Sequence, residues 1–133
     1  MARFYCPGCW KDFAEDVAQC PRCGLDIPGF WNAKDLVEKL IRALHHPEPS
    51  TPIRAAWMLG RIGDTRAVSA LIDMVRGTGD VYITRAGVRA LGKIGSPQAR
   101  VFLITLLDHP ATMIRDEVRT FLFPKTDSLT SRE

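Results

Sequence analysis

From about residue 33 onward, apolar side chains recur at helical spacing. Val68, Leu71, Ile72 and Val75 fall at i, i+3, i+4 and i+7, which is one face of a helix. Val101, Ile104 and Leu107 follow the same spacing, and Leu103 widens that face. The pattern predicts six helices over 33–45, 52–62, 65–76, 81–94, 97–108 and 111–123, separated by turns at 46–51, 63–64, 77–80, 95–96 and 109–110. Start signals agree with it. Thr51-Pro52 and Ser96-Pro97 each put a capping hydroxyl before a proline at a first helical position. Gly63 and Gly95 sit where the first helix of each pair should end.

The pattern is also an internal repeat. The segment Met58-Leu59-Gly60-Arg61-Ile62-Gly63-Asp64 returns as Ala90-Leu91-Gly92-Lys93-Ile94-Gly95-Ser96, an offset of 32 residues. Leu40-Ile41 match Leu71-Ile72 at an offset of 31, and Arg85, Val88 and Arg89 match Arg115, Val118 and Arg119 at an offset of 30. A period near 31 is the signature of a solenoid, here two complete units flanked by half units.

The LGxIGD-type turn, the arginine in the preceding helix and the A-V-x-x-L-I-x-x-V second helix resemble HEAT-like repeats over roughly residues 33–123. They are most similar to the short microbial kind that also occurs in phycobilin lyase subunits. The resemblance implies a mainly α fold, a short α-solenoid of helical hairpins. Second helices would line a concave groove, and such surfaces generally bind other macromolecules. Lyase members attach tetrapyrroles, but the residues shared here belong to the scaffold, so no catalytic residue carries over. A family that hydroxylates a modified lysine at a di-iron site uses His-Glu pairs in such repeats, and no His-Glu dipeptide occurs in this chain.

All four cysteines precede this region. Cys6-Pro7-Gly8-Cys9 and Cys20-Pro21-Arg22-Cys23 are two C-x2-C pairs with ten residues between them. Each pair can turn tightly and aim two thiolates at one point, and two such turns supply the closed tetrahedron of structural zinc. Gly24 follows the second pair, where a left-handed backbone turns amide N–H groups toward sulfur, whereas Trp10 takes that place after the first. The paired knuckles resemble the short zinc ribbons of many microbial proteins, over residues 4–27. So short a segment cannot bury enough apolar surface to fold unaided, so metal must supply the stability. Phe4, Tyr5, Trp10, Phe13 and Val17 are the expected apolar cap around one zinc ion. A four-sulfur site leaves no open position for water, which argues against catalytic zinc. The expected organisation is a zinc ribbon over 1–30, a HEAT-like domain over 31–123 and a frayed tail over 124–133. Pro28-Gly29-Phe30-Trp31-Asn32 forms the junction, with Phe30 and Trp31 packing the ribbon against the first helix.

Composition changes little. Apolar residues make up 46% and charged residues 25% of the 133 residues, normal for a globular protein. No apolar run approaches a membrane span, and Met-Ala-Arg-Phe-Tyr-Cys lacks the apolar core of a signal peptide, so a cytoplasmic protein is expected. The net charge is +3, with −1 in residues 1–31 and +4 in 32–133, too mild to argue for nucleic acid alone.

Few residues are left for chemistry. His46-Pro47 and His109-Pro110 take the same repeat position after a second helix, a stop signal rather than a metal site. Arg76-Gly77-Thr78-Gly79-Asp80 lacks the Lys-Ser/Thr of a phosphate loop. Arg85 and Arg89, and again Arg115 and Arg119, are i, i+4 pairs on successive first helices, with Trp57 in the column of Arg89 and Arg119. That stripe reads either as a phosphate-binding or acidic-partner surface, or as a structural ladder in which Arg85 and Arg115 meet turn acids such as Asp64. Phe121, Leu122 and Phe123 leave an apolar end that suggests a homodimer through the C-terminal helix. The leading expectation is a non-enzymatic protein-binding adaptor with structural zinc. The alternatives are a nucleic-acid-binding module using the ribbon and the arginine stripe, and an accessory subunit of a lyase-type enzyme.

Overall fold

The computed structural model of the chain describes residues 3–124. The expected tail, apart from Pro124, lies outside them. A two-stranded antiparallel ladder, β1 (Phe4–Tyr5) and β2 (Asp12–Phe13), pairs Phe4 with Phe13 and Tyr5 with Asp12. Seven α-helices follow among the described residues: α1 (Ile27–Asn32), α2 (Leu36–Ala43), α3 (Ser50–Ile62), α4 (Val68–Gly77), α5 (Val81–Ile94), α6 (Pro97–Ile104) and α7 (Thr112–Leu122), with a 3₁₀ turn at Thr65–Ala67.

Local chemistry explains most of the boundaries. Asp35 and Glu38 form a reciprocal capping box that starts α2 three residues later than the apolar spacing alone suggests. The Asp80 carboxylate accepts the amides of Tyr82 and Ile83 and starts α5, and Ser96 accepts the amide of Ala99 ahead of Pro97 to start α6. Gly63 (φ 78°) and Gly95 (φ 67°) close α3 and α5 in the left-handed region, donating to Leu59 and Leu91 as expected.

Three expectations need correction. The junction at 28–32 is not a connector but most of α1, because the Asp26 carboxylate caps it at the Gly29 amide. α3 begins at Ser50, so Thr51 and Pro52 lie within its first turn. The helix expected over 97–108 ends at Ile104. Beyond it the Thr105 hydroxyl donates to the Phe102 carbonyl, and Thr105, Leu106 and Leu107 all donate to carbonyls three residues back. That tighter pitch rotates the later side chains. Within α6 itself Ala99, Phe102 and Leu103 fall at i, i+3 and i+4 and are the buried face, while Val101 and Ile104 lie on another side and are 64% and 54% exposed. Ile72, the repeat partner of Ile104, is buried.

The helices stack in two layers. α3, α5 and α7 form one, and α4 and α6 lie in the other. α5 is central and touches α3, α4, α6 and α7. Leu59, Leu71, Leu91, Leu103, Ile114, Val68, Val88 and Val118 are fully buried and make one continuous core. Arg66 binds the repeats at their edge, reaching Asp35 at 2.9 Å and Asp64 at 3.0 Å. Asp64 therefore pairs with Arg66, not with Arg85 or Arg115.

Glycine sets the spacing of the α3–α5–α7 layer. A Cβ at Gly60 would stand 3.0 Å from the Ala90 Cα, and one at Gly92 would overlap the Phe121 ring. Gly92→Ala is therefore expected to lower stability by about 1–3 kcal/mol, because Phe121 must swing out of its seat. Gly77→Ala, where a Cβ would meet nothing within 4 Å, is the control. Urea unfolding compares the two, and equal midpoints would refute the close α5–α7 approach.

Candidate metal centre

The two cysteine pairs fold into matching knuckles. In the first, the Cys6 amide donates to the Lys11 carbonyl and the Trp10 amide to the Cys6 carbonyl. In the second, the Cys20 amide donates to Leu25 and the Gly24 amide to Cys20. Gly24 sits at φ 81°, and Trp10 adopts the same hand at φ 61°, the one non-glycine residue described with positive φ. A left-handed tryptophan costs on the order of 1–2 kcal/mol.

These turns bring the four Sγ atoms within 4.8 Å of one another. Cys6 and Cys23 lie 3.5 Å apart, and Cys9 and Cys20 3.7 Å apart. Both separations are far beyond a disulfide bond. They approach the edge of a sulfur tetrahedron around a zinc-sized ion, about 3.8 Å for bonds of ~2.3 Å. Backbone amides add the outer support such sites need. Gly8 donates to Cys6 at 3.3 Å, and Arg22 and Cys23 donate to Cys20 at 3.4 Å. Burial opposes the Cys20 thiolate, but these amides and the neighbouring thiols outweigh it and bring the group down to about 6. Four thiolates this close cannot all be ionised without a cation, so the donor set fits a soft divalent metal.

Cys6, Pro7 and Cys20 are the buried residues of this segment. The aromatic cap expected around the site is looser than predicted. Phe4 is exposed, and Tyr5, Trp10, Phe13 and Val17 are only half-buried. Two of these rings serve to dock the segment on the helices, a role that sequence reasoning missed. His46 packs edge-on against Tyr5 (4.4 Å) and Trp10 (5.1 Å). Arg42 lies over the Trp10 ring at 5.2 Å and donates to the carbonyls of Pro7 and Gly8. The Tyr5 hydroxyl donates to Glu48 at 2.9 Å. The Trp10 indole N–H is buried without an acceptor among the described residues. A tryptophan where glycine fits better was the available signal. Phe30 and Trp31 form an edge-on pair, with Trp31 sharing a cleft with Phe4, Phe13 and Val17, and Phe30 one with Ile41 and Arg42 of α2. Each ring thus lines an open cleft beside one part, and the contacts between the parts come from Tyr5, Trp10, Arg42, His46 and Glu48.

Trp10→Gly should relax the turn yet remove the docking contacts. The expected result is unchanged metal content with a cysteine-bearing segment that tumbles independently of the helices in amide relaxation. Loss of metal would instead make Trp10 part of the site's own support.

The two histidines before proline are structural, but not as donors to the last helical carbonyls: each accepts a backbone amide two residues on. His46 Nδ1 accepts the Glu48 amide at 3.1 Å, and His109 Nδ1 accepts the Ala111 amide at 3.0 Å, the same bond in both units. Burial holds His46 below its usual range and keeps the ring neutral.

The tryptophan–arginine stripe is only partly assembled. Trp57 is 56% exposed, with Arg61 stacked over its ring at 5.0 Å. Trp57 and Arg89 share a cleft of about 190 Å³ with Ala90, Lys93 and Phe121. Arg89 and Arg85 both approach Glu117, at 2.9 and 3.6 Å. Arg115 donates to the carbonyls of His109 and Pro110 and to the Thr112 hydroxyl, and Arg119 meets Asp116 at 3.6 Å.

No helix among the described residues is long and apolar enough to cross a membrane. No curated protein matches the chain. The profile of the family described as HEAT repeats matches residues 34–121, which takes in α2 through most of α7. With its helices paired in two layers and its glycine-closed turns repeated in register, the chain belongs to the HEAT-repeat family.

Proposed function

We propose that the chain is a non-enzymatic protein-binding adaptor, a HEAT-repeat surface carried beside a structural zinc ribbon. One observation carries this reading: a cleft of about 270 Å³ between α4 and α6, whose lining includes Ser69, Asp73, Arg76, Gln98, Val101 and Thr105. Val101 and the nearby Ile104 are largely exposed, and the charges of Asp73 and Arg76 balance. Aliphatic side chains beside neutral hydrogen-bonding groups suit a polypeptide.

Several features support the rest of the reading. The sulfur spacing favours zinc, and a sphere filled by four cysteines leaves no site for a substrate. The free thiols suit a reducing compartment such as the cytoplasm. Asp26, Asp35, Asp64 and Asp80 serve as helix caps, which argues against a general acid or base among them. The arginines nominated for phosphate are engaged by Glu117, Asp116 and backbone carbonyls, which weakens the nucleic-acid alternative. No residue of the α4–α6 cleft singles out a tetrapyrrole, so the accessory lyase role has less support. Phe123, 65% exposed at the end of α7, keeps self-association through that helix within the proposal.

Cross-linking the full chain in nuclease-treated cell extract tests the reading. Protein partners retained at elevated salt, and lost when Val101→Glu and Ile104→Glu are combined, are the expected result. Partners captured in untreated extract but absent after nuclease treatment would replace the adaptor with the nucleic-acid module.

A further inference from the structure

The α3–α5–α7 layer has a charge that the chain as a whole conceals. These three helices carry Arg54, Arg61, Arg85, Arg89, Lys93, Arg115 and Arg119 against Asp116 and Glu117, seven cations to two acids. Their net charge of +5 exceeds the +3 of the entire chain, so the remainder is net negative. α3 and α5 hold no acid at all.

The cations divide into two groups. Arg85, Arg89, Arg115 and Arg119 are turned onto Glu117, Asp116 and the carbonyls of the α6–α7 turn. No described acid pairs with Arg54, Arg61 or Lys93. These three surround exposed apolar side chains. Arg54, Trp57, Met58, Arg61 and Ile62 fall at i, i+3, i+4, i+7 and i+8, one solvent-facing stripe of α3. Trp57, Met58 and Ile62 are 56%, 37% and 44% exposed. Lys93 of α5 stands across the cleft that Trp57 shares with Phe121.

A run of phosphates would satisfy the cations but leave Met58 and Ile62 uncovered. A helix with carboxylates flanking an apolar face answers both. We propose that the solvent face of α3 and α5 docks an acidic amphipathic segment of a partner protein. Its apolar side covers Trp57, Met58 and Ile62, and its carboxylates meet Arg54, Arg61 and Lys93. This surface belongs to the layer opposite the α4–α6 cleft and stands independently of that site.

The test uses the full metal-loaded chain and a fluorescently labelled helix-forming peptide with glutamates on one face and leucine and phenylalanine on the other. Two probes serve as comparison: a peptide of the same composition with its periodicity scrambled, and a single-stranded oligonucleotide of equal charge. Fluorescence anisotropy should show saturable binding of the amphipathic peptide that weakens with salt and exceeds that of both comparison probes. Trp57→Ala, and Arg61→Glu combined with Lys93→Glu, should each reduce affinity about tenfold or more. Val101→Glu in the opposite layer should leave it unchanged. All these side chains are solvent-exposed, and matching melting curves establish that each variant is folded. Absence of peptide binding, equal binding of the scrambled peptide, tighter binding of the oligonucleotide, or full affinity in the folded α3 and α5 variants would each overturn the proposal.

Discussion

Cys20→Ser, or stripping the metal with a strong chelator, should unfold residues 4–27 and leave the helices from Leu36 onward intact. Cys20 is buried, accepts two amides and sits 3.7 Å from Cys9, so its loss breaks both the ligand set and the second knuckle. Little else within the segment holds it. Its strands are two residues long, and its buried residues are two cysteines and a proline. Metal binding in comparable small sites contributes on the order of 10 kcal/mol, more than any other single contribution here. The helical core, by contrast, runs from Val37 to Leu122 and includes no ribbon residue. Hydrogen exchange should therefore show protection lost before residue 28 and kept beyond 36. Metal analysis should return about one zinc per chain. Ribbon amides that stay protected in chelator would remove the metal from the account, and collapse of the whole chain would show that the helices depend on it.

Leu91→Ala should be the most damaging truncation among the helices, at about 2–5 kcal/mol. Leu91 is fully buried in the last turn of α5, the helix that touches four others, so the cavity it leaves has little freedom to collapse. Ile104→Ala should cost no more than about 0.5 kcal/mol, because that side chain is 54% exposed. Chemical denaturation of the two variants measures the contrast. A comparable loss for both would mean that Ile104 is covered in solution.

By sequence pattern alone these two positions look equally internal. Periodicity identified the α4 face correctly because Val68, Leu71, Ile72 and Val75 lie on one unbroken helix. It failed for Val101 and Ile104 because α6 carries two overlapping apolar faces, and the one through Ala99, Phe102 and Leu103 is the one packed on the core. The glycine-closed turns were readable because Gly63 and Gly95 have few other uses at that spacing. The cysteine cluster was equally plain, since two C-x2-C pairs allow few arrangements. Its docking surface was not. Arg42, His46 and Glu48 meet Pro7, Tyr5 and Trp10 across more than thirty residues of chain, and no local rule relates them. The arginine stripe assembles only in part, with Trp57 and Arg89 sharing a cleft, and its partners were not legible in the sequence. Glu117 draws in Arg85 and Arg89 only because α7 packs beside α5.

The Asp35–Arg66 contact spans 31 residues, the same interval that separates Leu40 from Leu71. Acid and guanidinium thus occupy equivalent places in neighbouring units, and the next place holds Gln98, which reaches back to Ser69. A column of unlike residues records which unit precedes which. An artificial array built by averaging the units into one consensus would set like charges or identical amides against each other there, and would lose its sense of order along with the clasp.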